Sequence, residues 1–241
     1  AFAFIGFVAQ LIDGALGMAY GVSSTTFLLS IGCPPATASA SVHTAEIFIS
    51  GVSGLSHLKF GNVDEKLFKK LLIPGVIGGI LGAYILTAAP GNLIRPFVAI
   101  YLLIMGLIIL RKTFKKQQQH KINVRIIPLG LLGGFFDAIG GGGWGPIVTS
   151  TLVGKGHNPR FAIGSVNLAE WFVTLSECLT FALTIRLVYW KAIVGLIIGG
   201  ALAAPFAAYA CKKLPNRTLM VIVGLLVIAL SMRTIWMFLQ S

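Results

Sequence analysis

Apolar residues gather in eight long blocks, near 2–30, 36–58, 71–89, 96–110, 126–153, 161–185, 192–210 and 218–239, parted by short polar connections. A helix needs ~20 apolar residues to cross the ~30 Å hydrocarbon core of a bilayer. The pattern therefore predicts an all-α polytopic membrane protein with no soluble domain between its segments. Two blocks are interrupted. Gln10, Asp13, Gly14, Gly17 and Gly21 break the first, and Asp137, Gly140, Gly141, Gly142, Gly143, Gly145 and Pro146 break the fifth. Four consecutive glycines cannot sustain a helix, because each costs about 1 kcal/mol relative to alanine. The limbs on either side are roughly 10–12 residues, or about 15–18 Å at the α-helical rise, so neither limb spans alone.

The interrupted stretches are copies of one another. Laid without a gap from Asp13 on Asp137 to Glu46 on Glu170, the two match at Gly17, Gly21, Thr25, Leu28, Gly32, Pro35, Ala38, Ser41, Val42 and Ala45, and Tyr20 meets Trp144. The chain divides into a first repeat (1–112), a basic linker (113–125) and a second repeat (126–241). Internal duplication in a membrane chain points to a transporter.

Two geometries are open for the broken segments: a single crossing with an unwound middle, or a re-entrant hairpin that turns at mid-membrane. Loop charge weighs them, since lysine and arginine favour the cytoplasmic side. The re-entrant arrangement puts more of the nineteen basic residues on one side. It also leaves three true crossings per repeat, an odd number, which inverts one half relative to the other. The basic cluster from Arg111 to Arg125 is expected to face the cytoplasm.

Composition agrees with a membrane chain: 56% hydrophobic, 11% charged, mean hydropathy +0.89. A net charge of +12 would suggest nucleic acid in a soluble protein, but these cations sit in the connections, where they orient the chain, and no nucleic-acid partner is expected. Cys33, Cys178 and Cys211 form no CxxC pair and no even framework, so neither disulfides nor a thiolate metal site is indicated. The first block runs on to residue 30 with no basic residue ahead of it, unlike a signal peptide. No cofactor motif is present, and neither HExxH nor a phosphate loop of the GKS/T type occurs.

Five acids, Asp13, Glu46, Asp137, Glu170 and Glu177, lie within apolar blocks, where a charge costs several kcal/mol. Taken singly, each could be protonated or cap a helix end; the repeat pairing tips four of them towards function. Glu46 follows His43 by three positions and Glu170 follows Asn167 likewise, and Glu177 lies two turns further on that face. Ser-Val-His-Thr-Ala-Glu against Ser-Val-Asn-Leu-Ala-Glu is thus a polar stripe lining a cavity or a seam. A helix restarting after each break presents unpaired N–H groups and a positive dipole end, which suit an anion. Pro146 fits the first position of such a helix, and Ser24, Thr25 and Thr149 add hydroxyls. Packing is the default role for Tyr20 and Trp144, and a bonded neutral imidazole is the default for His43.

Two halves carrying Asp-Gly-Ala-Leu-Gly-Met-Ala-Tyr-Gly and Asp-Ala-Ile-Gly-Gly-Gly-Gly-Trp-Gly-Pro, each followed by the Ser-Val-x-x-Ala-Glu stripe, resemble the TauE/SafE sulfite exporter family over nearly the whole chain. The resemblance implies a multi-pass permease of the bacterial or archaeal inner membrane, moving sulfite, organosulfonates or related sulfur anions. It sets the substrate site at Asp13, Gly14, Gly17, Tyr20, Gly21, Ser24 and Thr25 of the first repeat. In the second repeat it sets Asp137, Gly141, Gly142, Gly143, Trp144, Gly145 and Thr149. His43, Glu46, Asn167 and Glu170 are candidates for coupling or gating.

Three functions compete on these residues. A secondary anion transporter must neutralise its own buried carboxylates, and proton coupling would do so. A cation or metal-ion transporter could use the same carboxylates with His43, although Asn167 leaves no second histidine to complete a site. An intramembrane protease at Gly51-Val52-Ser53-Gly54 lacks a histidine on any later segment to serve as base, so no enzyme is expected. The partners expected are the lipid bilayer and a small anionic substrate, with room for a homo-oligomer.

Overall fold

The computed structural model describes residues 2–16, 20–114, 124–185, 190–213 and 216–240; within these the side chains of 11–16, 204–213, 216–220 and a few single positions are outside the described set. The described residues form helices throughout: α1 (Phe2–Leu16), α2 (Tyr20–Ser30), α3 (Pro35–Lys59), α4 (Glu65–Ala88), α5 (Gly91–Phe114), α6 (Ile126–Gly140), a π-helical turn (Gly145–Thr149) leading into α7 (Ser150–Gly154), α8 (Pro159–Thr184), α9 (Trp190–Lys213) and α10 (Asn216–Leu239). The fifth block is divided between α6 and the 145–154 limb, as its glycine run predicts; in the first, α1 continues through Gln10, Asp13 and Gly14, against the expected interruption there, Gly21 lies inside α2, and residues 17–19 are outside the described residues. The helix α4 begins six residues before its apolar block, because Asp64 caps it by accepting from the N–H groups of Lys66 and Leu67. Its first turn sets exposed Glu65 and Lys66 beside Leu67 and Phe68, so hydropathy alone does not register it.

Glu65–Ala88 and Arg160–Thr184 are long and apolar enough, by length and composition, to cross a membrane. Their exteriors are greasy. On α4 the large side chains Ile73, Ile77, Tyr84 and Ile85 are exposed, while Gly75, Gly78, Gly79 and Gly82 face inward. Small residues inside and large apolar ones outside suit a protein whose surroundings are lipid and whose helices must pack closely.

Each broken segment packs mainly on a helix of the other repeat: α1 on α9, and α6 on α4. Backbones touch at these seams. A Cβ on Gly134 would strike the carbonyl of Gly75, one on Gly78 the carbonyl of Leu131, and one on Gly199 that of Ala3. Along α6, Gly130 meets Leu71 and Pro74, whereas Ala138 lies near Gly82, so α6 and α4 run in the same direction. The limb after the break then runs back: Val148 lies against Gly133, and Leu152 packs in a cluster with Leu67, Leu71 and Ala162. The symmetric partners α3 and α8 pack together, as do α5 and α10.

The loop after α3 and the start of α8 are tied. Arg160 donates to Asn62 Oδ1 and to the Phe60 carbonyl, and Ser165 Oγ lies between the Asp64 N–H and carbonyl. Residues 60–64 and 158–165 therefore sit at one end of the bundle.

Candidate functional site

The second break is built by Asp137 and three glycines. Helix α6 stops where Gly141 adopts the left-handed conformation (φ 64°), followed by Gly142 at φ 140°, a region closed to residues with a Cβ. Asp137 Oδ1 then accepts from the N–H groups of Gly143 (2.6 Å) and Trp144 (2.8 Å). A carboxylate bonded to two amides is a charge-assisted clamp. Its consequence corrects one expectation: the N–H groups at the restart are held by the protein's own acid and are not left open for a guest.

The second break meets α2. A Cβ on Gly21 would come within 2.6 Å of Gly142 Cα, and Thr25 Oγ1 donates to the Gly141 carbonyl at 2.6 Å. Beside this junction lies a cavity of about 530 Å³, in the range that holds small-molecule ligands. Its polar lining comes from Gln10, Glu46, Ser50, Ser53, His57, Asp137, Asn167 and Glu170, with the backbones of Gly21, Gly142, Gly143 and Gly145. No lysine or arginine lines it among the described residues.

Several predicted site residues stand behind the cavity and do not line it. Tyr20 is buried, with its hydroxyl 3.5 Å from the Leu196 carbonyl. Trp144 is buried and donates from Nε1 to the Val166 carbonyl at 3.1 Å. Ser24 and Thr149 are buried off the lining, and Thr25 and Gly141 bond to each other. The side chain of Asp13, together with Gly17, lies outside the described residues, and Gly14 continues the helix α1.

His43 does not reach the cavity either. Its Nδ1 donates to the Ser39 carbonyl (2.8 Å), and its Nε2 lies 2.7 Å from Glu177 Oε2 and 3.6 Å from Asp137 Oδ2. A carbonyl can only accept, so Nδ1 carries a proton and Nε2 is the atom facing the acids. His43 and Glu177 are 0% exposed and Asp137 2%, so the three groups face one another inside the bundle. Ser39 Oγ donates to the Ala138 carbonyl at 2.6 Å, locking α3 beside α6 at this level. Sequence reasoning passed over Glu177 because the duplication matches it to Ser53; its place two turns beyond Glu170 was the available signal.

His43, Asp137 and Glu177 are close enough together to be weighed as a metal centre. The spacing argues against one. Two donors on an ion at 2.0–2.1 Å with a tetrahedral angle stand roughly 3.4 Å apart, whereas Nε2 and Oε2 are at 2.7 Å, the spacing of two atoms sharing a proton.

An all-helical bundle with an apolar exterior, broken segments meeting inside it and a polar cavity at their junction defines a membrane transporter. A profile of the Sulfite exporter TauE/SafE family matches residues 2–234, and the chain belongs to that family. It is 43% identical over 244 residues to the probable membrane transporter protein YtnM of Bacillus subtilis (strain 168), covering 97% of this chain and 81% of that one. It is also 28% identical over 150 residues to the probable membrane transporter protein ORF9 of Sinorhizobium sp, covering 60% of this chain and 57% of the relative. No solved structure matches it significantly. These are names of transporters and not of enzymes.

Proposed function

We propose that the protein is a proton-coupled secondary transporter of small sulfur-containing anions, sulfite or short organosulfonates, in the inner membrane, and that the substrate occupies the cavity at the junction of the two breaks. The observation that carries this reading is the lining itself: the backbones of Gly21, Gly142, Gly143 and Gly145 beside Glu46, Asp137 and Glu170, with no lysine or arginine among the described residues. Two like charges 4 Å apart repel by about 4 kcal/mol at an effective dielectric of 20, roughly a thousandfold in affinity. An anion therefore enters this cavity when its acids are protonated, and transport of the anion is bound to movement of protons. Gln10, Ser50, Ser53 and Asn167 supply neutral polar contacts that tolerate a small oxyanion.

The repeats are read as inverted, with each broken segment re-entrant. The support is that α6 and the 145–154 limb run out and back, that α1 meets α9 as α6 meets α4, and that residues 60–64 and 158–165 share one end of the bundle. On that reading the linker 111–125 lies on the cytoplasmic side with both of these loops.

A cation or metal-ion carrier is the second reading, favoured by the same acidic lining. Proteoliposomes separate the two: radiolabelled sulfite should accumulate under an imposed pH gradient and collapse with a protonophore. Uptake of divalent or monovalent metal ions without sulfite transport would overturn the anion reading.

A further inference from the structure

We propose that His43 and Glu177 form an internal proton-binding centre, set apart from the anion cavity and joined to it through Asp137, and that the proton held there is the one that drives transport. This rests on the proton-coupled reading above and names its carrier, which that reading leaves open.

The geometry isolates one transferable proton. Nδ1 of His43 is committed to the Ser39 carbonyl, which leaves Nε2 as the atom that gains or loses a proton; it faces Glu177 Oε2 at 2.7 Å, and neither atom makes a hydrogen bond among the described residues, so a proton taken up there belongs to the pair. With that proton the pair is neutral; a second makes it cationic, and loss of the first leaves two negative charges in the three-group cluster. Among the described residues, other titratable groups facing it are few. Helix α6 contributes Asp137, and α5 contributes Tyr101, whose ring lies against Gly140 and Gly143. On α8, Cys178 turns to Thr44. From α4 the residue facing Glu177 is Gly79, and Tyr20 of α2 turns to Leu196 on α9. Glu46, His57 and Glu170 line the cavity on the far side of Asp137.

Asp137 belongs to both places. Its Oδ1 holds the Gly143 and Trp144 amides that shape the break, and it lines the cavity; its Oδ2 makes no hydrogen bond among the described residues and faces His43 Nε2 at 3.6 Å. Each change in the pair's charge thus acts directly on the carboxylate that fixes the cavity wall.

The protein contains its own control. The repeat register that sets His43 on Asn167 sets Ser53 on Glu177, and Ser53 Oγ donates to Asn167 Oδ1 at 3.2 Å. One cross-repeat contact is therefore built twice, once from groups that titrate and once from groups that cannot. A purely structural pair would be served as well by the neutral version.

The double substitution His43→Asn with Glu177→Ser rewrites the ionisable pair as the neutral one the fold already carries, and Glu177→Gln keeps the side-chain shape. In the full chain reconstituted in nanodiscs, pH-difference infrared spectra should show a carboxylic acid band that titrates in the wild type and is missing from both variants. In proteoliposomes the double variant should retain sulfite counterflow, which needs no net proton movement. Its accumulation of sulfite under a pH gradient should fall roughly tenfold or more, the size of a typical coupling free energy. An unchanged titrating band in Glu177→Gln, or wild-type accumulation in the double variant, would overturn the proposal. If the wild type moves no sulfite at all, the anion reading fails, and the infrared titration still judges the pair.

Discussion

His43 with Glu177 and Asn167 with Ser53 occupy matching places in the two repeats, yet one pair is sealed in the bundle and the other belongs to the cavity wall. The backbone treats them alike, since both bridge α3 and α8. What differs is chemistry: an imidazole and a carboxylate held away from water against an amide and a hydroxyl beside a solvent-sized space. The register is shared and the chemistry is not: on the proposed reading one stretch carries the proton-responsive pair and its sequence copy a neutral contact.

The strongest way to break the comparison is to destroy the junction that both copies share. In Gly142→Ala a methyl group would overlap the backbone of Gly21 and Val22 at a φ of 140°. Strain and overpacking together should cost about 3 kcal/mol or more, seen as loss of folded, monodisperse protein. Next in size, His43→Ala leaves Glu177 buried without its partner and should destabilise by about 3–5 kcal/mol, whereas Asn167→Ala should cost about 1 kcal/mol. Thermal unfolding of the two variants side by side measures that gap; equal costs would mean that the pairs are equivalent after all.

Asp137→Asn keeps an acceptor for the Gly143 and Trp144 amides but removes its charge, and a loss of about 2 kcal/mol is expected. Sulfite binding to this variant, followed by calorimetry, should depend less on pH than in the wild type. The smallest effect belongs to Ser53→Ala, at most about 1 kcal/mol in thermal unfolding.

Much of the architecture could be read from the chain. The eight apolar blocks and the second glycine-rich interruption correspond to observed helices and a break, because continuous hydrophobicity and helix-breaking glycines act locally; at the first, α1 runs on through Gln10, Asp13 and Gly14. Three things were out of reach. The start of α4 ahead of its apolar block is set by the cap at Asp64, which hydropathy does not weigh. The capture of the restart amides by Asp137 depends on how its side chain folds back across the left-handed turn at Gly141. Glu177 was passed over because its repeat mate is a serine, and an argument built on matched residues discards the positions where the halves diverge. Pairing across the repeats, His43 to Glu177, is a tertiary fact that no local pattern carries.

The central claim is that an anion and protons move together through a cavity walled by acids. It is tested most directly by adding sulfite to lightly buffered proteoliposomes carrying a trapped pH-sensitive dye while sulfite flux is followed on the same sample. Sulfite entry with a protein-dependent pH change that persists when the membrane voltage is clamped is the predicted result. Sulfite flux with no accompanying protein-dependent pH change would contradict the account.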